Sequence, residues 1–210
     1  MSKRSSRHVP QQSRSQELVD RLLDSAAALF ADVGYEATTT NAIAEKAGVA
    51  IGSLYRYFPD RKAVLGALAE RHLRQTRELH DRVFTQDLVY LPLPVLLDRL
   101  IDPFLELHLE CPAYAHLLLG SDASPDIASA TCELDEEILE RLAGVIQRVA
   151  PRLDPGRPRL VASVCKASVK ALISSVAARR DPTGRSEVVA ETKRMLLSYL
   201  QSVVGGSSPR

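Results

Sequence analysis

Residues 38–62, TTTNAIAEKAGVAIGSLYRYFPDRK, constrain the fold of this chain more tightly than any other stretch. Three threonines precede an apolar pattern, Ile43, Ala44 and Ala47, and a threonine can cap a helix by accepting from the exposed amides of its first turn. A helix of about two turns is therefore expected to begin near Thr39. Gly48 ends it, because glycine adopts the left-handed backbone conformation without steric cost and lets the chain reverse. Ser53 to Phe58 then reads as a second short helix, closed by Pro59. Ala44 is small where the two helices must cross, and Ile43, Val49 and Leu54 are the buried contacts that hold their angle. Such a corner is a helix-turn-helix, whose second helix can enter the DNA major groove, or a helical corner with no ligand.

The rest of the chain carries helical periodicity with almost no strand alternation, which predicts an all-α fold. Leu18, Leu22, Ala26, Leu29 and Val33 share one face of a helix of about five turns, with Val19, Leu23 and Phe30 beside it. Ser13 and Gln16 fit a capping box at its start, and Gly34 stops it. Asp60 caps a long helix over 61–84, with Val64, Leu65, Leu68, Leu79 and Val83 as its apolar positions. After the punctuation at Tyr90–Pro94, helices are predicted over 93–110, kinked at Pro103, and over 112–119, 125–150, 158–179 and 186–204. Asp181-Pro182-Thr183-Gly184 reads as a loop between the last two. The organisation expected is a disordered basic arm over 1–12, a three-helix domain over 13–60, a larger helical domain over 61–204, and a tail over 205–210.

Read from Gly34 through Phe58, the pattern G-Y-x-x-T-T-x-x-x-I-A-x-x-A-G-V-x-x-G-x-L-Y-x-Y-F resembles the N-terminal domain of the TetR/AcrR family of bacterial transcriptional regulators. The resemblance covers about residues 14–70. It implies an all-α homodimer, each subunit pairing a helix-turn-helix DNA-binding domain with a C-terminal domain that binds a small effector and dimerises. It also implies a repressor of a palindromic operator, released by that effector; the alternatives are a regulator without a small-molecule ligand and, remotely, a helical enzyme. Position by position, the family pattern puts Thr39 at a phosphate, as suits a helix N-terminus. It puts Ala50, Ile51, Gly52 and Ser53 at the start of the recognition helix, with Tyr55, Arg56 and Tyr57 one turn on, and Arg61 and Lys62 near phosphate. Ala50 and Ile51 stand where small polar residues are common, which shifts readout toward thymine methyls or DNA shape. Lys3, Arg4, Arg7, His8 and Arg14, with no acid before Glu17, can follow the minor groove or act as a solubility tail.

Beyond that motif, the helices near 158–179 and 186–204 are rich in small and apolar residues: two from each subunit would form a four-helix dimer interface, the usual dimer surface of the family, or both are core within one subunit. The resemblance places an effector pocket among the middle helices, where Phe84, Tyr90, Phe104, His108, Tyr114 and His116 are available to line it. The run His108-x-x-Cys111-x-x-x-x-His116 is interrupted by Pro112 and matches no standard zinc spacing, so neither metal nor cofactor is expected. No nucleophile elbow, P-loop or zincin motif appears, so an enzyme is not expected either. Lys and Arg number 27 against 26 Asp and Glu, so any affinity for nucleic acid must come from local charge. The longest uncharged run, Met195 to Pro209, falls short of the roughly 18–20 apolar residues of a membrane span. The polar N-terminus and three widely spaced cysteines fit a cytoplasmic chain with reduced thiols.

Overall fold

The computed structural model describes residues 11–110, 125–179 and 181–205. Among the described residues every regular element is a helix, and the chain divides into two compact units, Met1–Leu68 and Ala69–Arg210. The first contains α1 (Gln11–Val33), α2 (Thr40–Lys46) and α3 (Ile51–Tyr55). Helix α4 (Arg61–Val83) begins in the first unit and ends in the second, since the division falls between Leu68 and Ala69. The second unit continues with a 3-10 turn (Gln86–Tyr90), α5 (Leu93–Glu110), α6 (Pro125–Val149), α7 (Arg157–Ala178) and α8 (Pro182–Val204). The helix expected over 112–119 lies outside the described residues.

In the first unit, Leu22, Leu23, Ala26 and Phe30 of α1 are buried, as are Ile43, Ala44, Leu54, Phe58, Val64 and Leu68. Val33, expected on the same apolar face, is 51% exposed, so the core stripe ends one turn before the helix does. Gly34 (φ +85°) and Gly48 (φ +66°) both take the left-handed conformation that the two chain reversals require. Thr39 caps α2 by accepting from the Ala42 amide at 3.1 Å, and Asp60 caps α4 by accepting from the Ala63 amide at 2.7 Å.

Three helix starts differ from the expected ones. Helix α1 begins by Gln11, so Ser13 is inside it rather than at its cap, and 11–12 are helical rather than part of an arm. Helix α3 begins at Ile51, two residues early. Helix α8 begins at Pro182: the supposed loop is a cap and a first turn, with the Asp181 carboxylate accepting from the Gly184 amide at 2.7 Å. Proline lacks only an N–H that a first turn leaves unpaired anyway, and its fixed φ suits that turn, so Asp-Pro starts a helix as readily as it makes a loop.

The second unit packs α5, α6, α7 and α8 around Leu97, Ile101, Leu105, Ile146, Val161, Leu172, Val176, Leu196 and Leu200. Two satellite clusters extend it, one joining Leu79 and Val83 of α4 to Phe104, the other joining Leu88, Leu96 and Val145. Helix α7 is long and apolar enough, by length and composition only, to cross a membrane, although Lys166 and Lys170 interrupt its uncharged run. Only 22% of its most apolar window is buried, and Leu160 (52%), Val164 (40%) and, on α8, Met195 (54%) stand exposed.

Candidate nucleic-acid interface and effector cavity

The α2–α3 corner sorts its residues by chemistry. Leu54 is fully buried and Phe58 nearly so, anchoring α3 to the unit, while Tyr55 and Arg56 between and beside them are exposed. Ala50 and Gly52 are exposed, and Ile51 and Ser53 half-buried. A Cβ built on Gly52 would meet nothing within 4 Å, so no contact inside the protein requires glycine there. The Tyr55 and Thr40 hydroxyls lie 3.1 Å apart, which ties the end of α3 to the start of α2. Thr39 is exposed, and its cap uses the hydroxyl as an acceptor, leaving its proton available to an anion.

Tyr57 is held more firmly than its sequence position implies. Its hydroxyl is 2.7 Å from that of Ser15 on α1 and accepts from the Arg56 guanidinium at 2.8 Å, which also lies over its ring. The Ser15 hydrogen bond lowers the phenol pKa from its ordinary value; desolvation opposes this, and the hydrogen bond and charge of Arg56 add to it.

Arg61 does something other than await phosphate. Its Nη1 donates to the carbonyl oxygens of Tyr35 (2.7 Å), Glu36 (2.7 Å) and Thr38 (2.9 Å), and its Nη2 donates to the Glu36 carboxylate at 3.1 Å. The guanidinium stacks 4.0 Å over the Tyr35 ring. Burial opposes its charge, but the hydrogen bonds outweigh it and raise the pKa. Arg61 thereby clamps the α1–α2 turn, a role with no local sequence signal, since its partners are main-chain oxygens 23 to 26 residues earlier. Lys62 beside it is exposed.

Within the second unit lies a cavity of about 210 Å³ between α4, α5, α6, α7 and α8. Phe84, Phe104 and His108 line it as expected. Tyr90 does not: it is 85% exposed, because the 3-10 turn buries Leu88 in its place. Tyr114 and His116 lie outside the described residues. Sequence reasoning missed His72, Thr76 and His80, which are buried and line the cavity from α4. Their spacing, four residues apart on one face between apolar Leu68 and Val83, was the signal that could have found them. The His72 ring meets His108 edge to face at 4.8 Å, and His80 stacks on Phe84 at 5.1 Å. Burial drives both imidazoles to their neutral form, lowering the pKa of His72 to about 3 and of His80 to about 4. His108 is lowered for the same reason, against a 2.7 Å hydrogen-bond contact with the Phe104 carbonyl. Cys165, also lining the cavity, is pushed up to about 11 by burial and stays a thiol. Among the described residues, no three His, Cys, Asp or Glu side chains converge as metal ligands.

Two family models match this chain. The one described as "Bacterial regulatory proteins, tetR family" matches residues 22–68, and the one described as "Tetracyclin repressor-like, C-terminal domain" matches residues 92–200. The chain is 40% identical over 62 residues to the HTH-type transcriptional repressor KstR of Mycolicibacterium smegmatis, a match that covers 30% of each protein. It thus spans less than a third of that repressor's length. Along nearly its whole length it is similar in structure to a TetR-family transcriptional regulator from Streptomyces coelicolor (26% identity, TM-score 0.56, 89% of this chain and 99% of the other). It shares its fold with a TetR-like transcriptional regulator from Rhodococcus sp. RHA1 (20% identity, TM-score 0.66, 95% and 100%).

Proposed function

This chain belongs to the TetR family of bacterial regulatory proteins, whose members are transcriptional regulators rather than enzymes, and from that premise we propose that it is a homodimeric repressor that binds a palindromic DNA operator and leaves it when a small molecule fills the α4–α8 cavity. The observation that carries the DNA-binding part is the α2–α3 corner, where buried Leu54 and Phe58 fix the helix while Tyr55, Arg56 and the Thr39 hydroxyl face outward. Arg56 reads a base edge or grips a phosphate, and Thr39 and Lys62 grip phosphates. Tyr57 contributes through its ring edge or by orienting Arg56, because its hydroxyl is already engaged. The largely exposed apolar surface of α7, with Met195 on α8, supports a second copy of the chain as the partner that covers it. One five-residue recognition helix reads only a few base pairs, so selectivity needs two.

Footprinting on the upstream region of the protein's own and neighbouring coding sequences tests this reading. Two protected half-sites on one face of the duplex are expected, and a demonstrated monomer binding one asymmetric half-site specifically would overturn it.

A further inference from the structure

The cavity wall contributed by α4 carries polar atoms that no other described residue engages. The Thr76 Oγ1 and the His80 Nδ1 are buried without a hydrogen-bond partner among the described residues, in residues that are 7% and 4% exposed. A helical threonine normally donates to the carbonyl one turn back, as Thr131 does to Ile127 (2.7 Å) and Thr192 to Val188 (2.8 Å). Thr76 does not, although it lies in the middle of α4. An unpaired buried polar group is costly, and two of them side by side on one wall of a cavity point to a bound molecule that satisfies them.

The remaining walls define what that ligand is. Leu100, Leu134, Ile138, Leu142 and Ile173 make most of the opposite surface hydrocarbon. Among the described residues, the charged side chains on the wall are Asp135, Lys166 and Lys170, and both lysines are drawn to the one carboxylate: Lys166 pairs with Asp135 at 3.2 Å and Lys170 with its other oxygen at 3.8 Å. Lys166 also donates to the Asp135 carbonyl at 2.8 Å. The three imidazoles are neutral at neutral pH, so they offer an anion no counter-charge. A carboxylate or an ammonium placed against Thr76 would be a buried, unpaired charge.

We infer that the cavity takes an uncharged, mainly hydrocarbon molecule bearing a hydroxyl or carbonyl oxygen, which hydrogen-bonds to the Thr76 hydroxyl and the His80 Nδ1. This rests on the reading of the cavity as the effector site and names the chemistry of what enters it. A hydroxyl donates to one of the two α4 atoms while accepting from the other; a carbonyl accepts from both when the His80 tautomer carries its proton on Nδ1. The hydrocarbon part lies against the leucine and isoleucine wall.

The test uses the full-length protein with pyrene, a fluorophore that has no polar group, as the cavity reporter. Displacement is followed at pH 7.5 with 1-decanol, 2-decanone, decanoate and decylamine, four probes of equal chain length. The alcohol and the ketone are expected to displace pyrene at least ten times more effectively than either charged probe. Thr76→Val, which keeps the side-chain volume, should weaken 1-decanol by about 3–10-fold, the worth of one hydrogen bond, while leaving pyrene affinity unchanged. His80→Phe should act in the same direction. Displacement by decanoate or decylamine as good as by 1-decanol, or a Thr76→Val protein with undiminished affinity for 1-decanol, overturns the ligand class while leaving a small-molecule site in place. Failure of the wild-type protein to bind pyrene or any of the four probes removes the effector reading itself, and the inference with it.

Discussion

Leu54 and Arg56 sit two positions apart on one short helix and take opposite roles, one fully buried and the other exposed. Arg56→Ala is expected to weaken operator binding by about 1–3 kcal/mol, the range for a good base or phosphate contact, with little change in thermal unfolding. Leu54→Ala should lower stability by about 2–5 kcal/mol, since it leaves a cavity in the first unit's core. Gel-shift affinities beside melting curves separate the two; unchanged affinity for Arg56→Ala at physiological salt would move the recognition surface elsewhere. The buried histidines give the stability of the second unit a pH dependence of definite sign. In the unfolded chain each protonates near the ordinary value of about 6.5, whereas folded His72 stays neutral to about 3 and His80 to about 4. Below pH 6.5 the unfolded state binds more protons, so stability is full above that value and falls as pH drops toward 4. The slope is up to about 1.4 kcal/mol per pH unit for each histidine. Urea midpoints at pH 7, 6 and 5 should decline, and His80→Phe should flatten the decline; equal midpoints for the wild type would contradict the burial argument.

At the scale of elements, helix ends are where local chemistry and tertiary structure meet. The Asp181 carboxylate satisfies an amide in the first turn of α8, and its loss by Asp181→Ala should cost about 1 kcal/mol, measurable as a lower urea midpoint. Helix α4 changes its environment along its length: Val64, Leu65 and Leu68 pack in the first unit, while its later turns present Thr76 and His80 to the cavity. Helical pattern alone predicts Leu79 and Val83 as buried, which they are, but it treats His72, Thr76 and His80 as polar and therefore outward. Periodicity reads hydrophobicity, and a polar stripe facing an internal cavity has the spacing of a core stripe with the wrong residue types.

For the whole molecule, self-association and coupling are the testable properties. Leu160→Glu with Met195→Glu places charge on the exposed apolar face of α7 and α8, and sedimentation should then report a monomer that no longer protects two half-sites. A dimer that persists would move the interface off this face. In the proposed dimer, with α4 running from one unit into the other, a ligand that favours one disposition of its cavity-lining turns is expected to shift the spacing of paired recognition helices, and DNA tolerates only one spacing. The coupling expected is about 1–3 kcal/mol, and linkage makes it reciprocal: operator DNA should weaken the ligand by the same factor. Titrating 1-decanol with and without operator checks this, and equal affinities would leave a DNA-binding protein whose second unit has no hold on the first.

Gly34, Gly48, the Thr39 and Asp60 caps, and the apolar spacing of α1 to α4 were legible in sequence because each rests on interactions within a few residues, where backbone geometry is decided. The burial pattern of the α2–α3 corner was legible for the same reason: it follows from helical period and one left-handed glycine. What depended on residues far apart in the chain was not. Arg61 became a clamp because the turn at Tyr35–Thr38 brings three carbonyl oxygens to its guanidinium, and Tyr57 found Ser15 42 residues away. Tyr90 left the expected cavity because Leu88 is the better residue to bury in the 3-10 turn. Thr76 and His80 acquired their meaning only when α5 to α8 closed an apolar space around them, for burial turns a solvated hydroxyl or imidazole into an unpaired one.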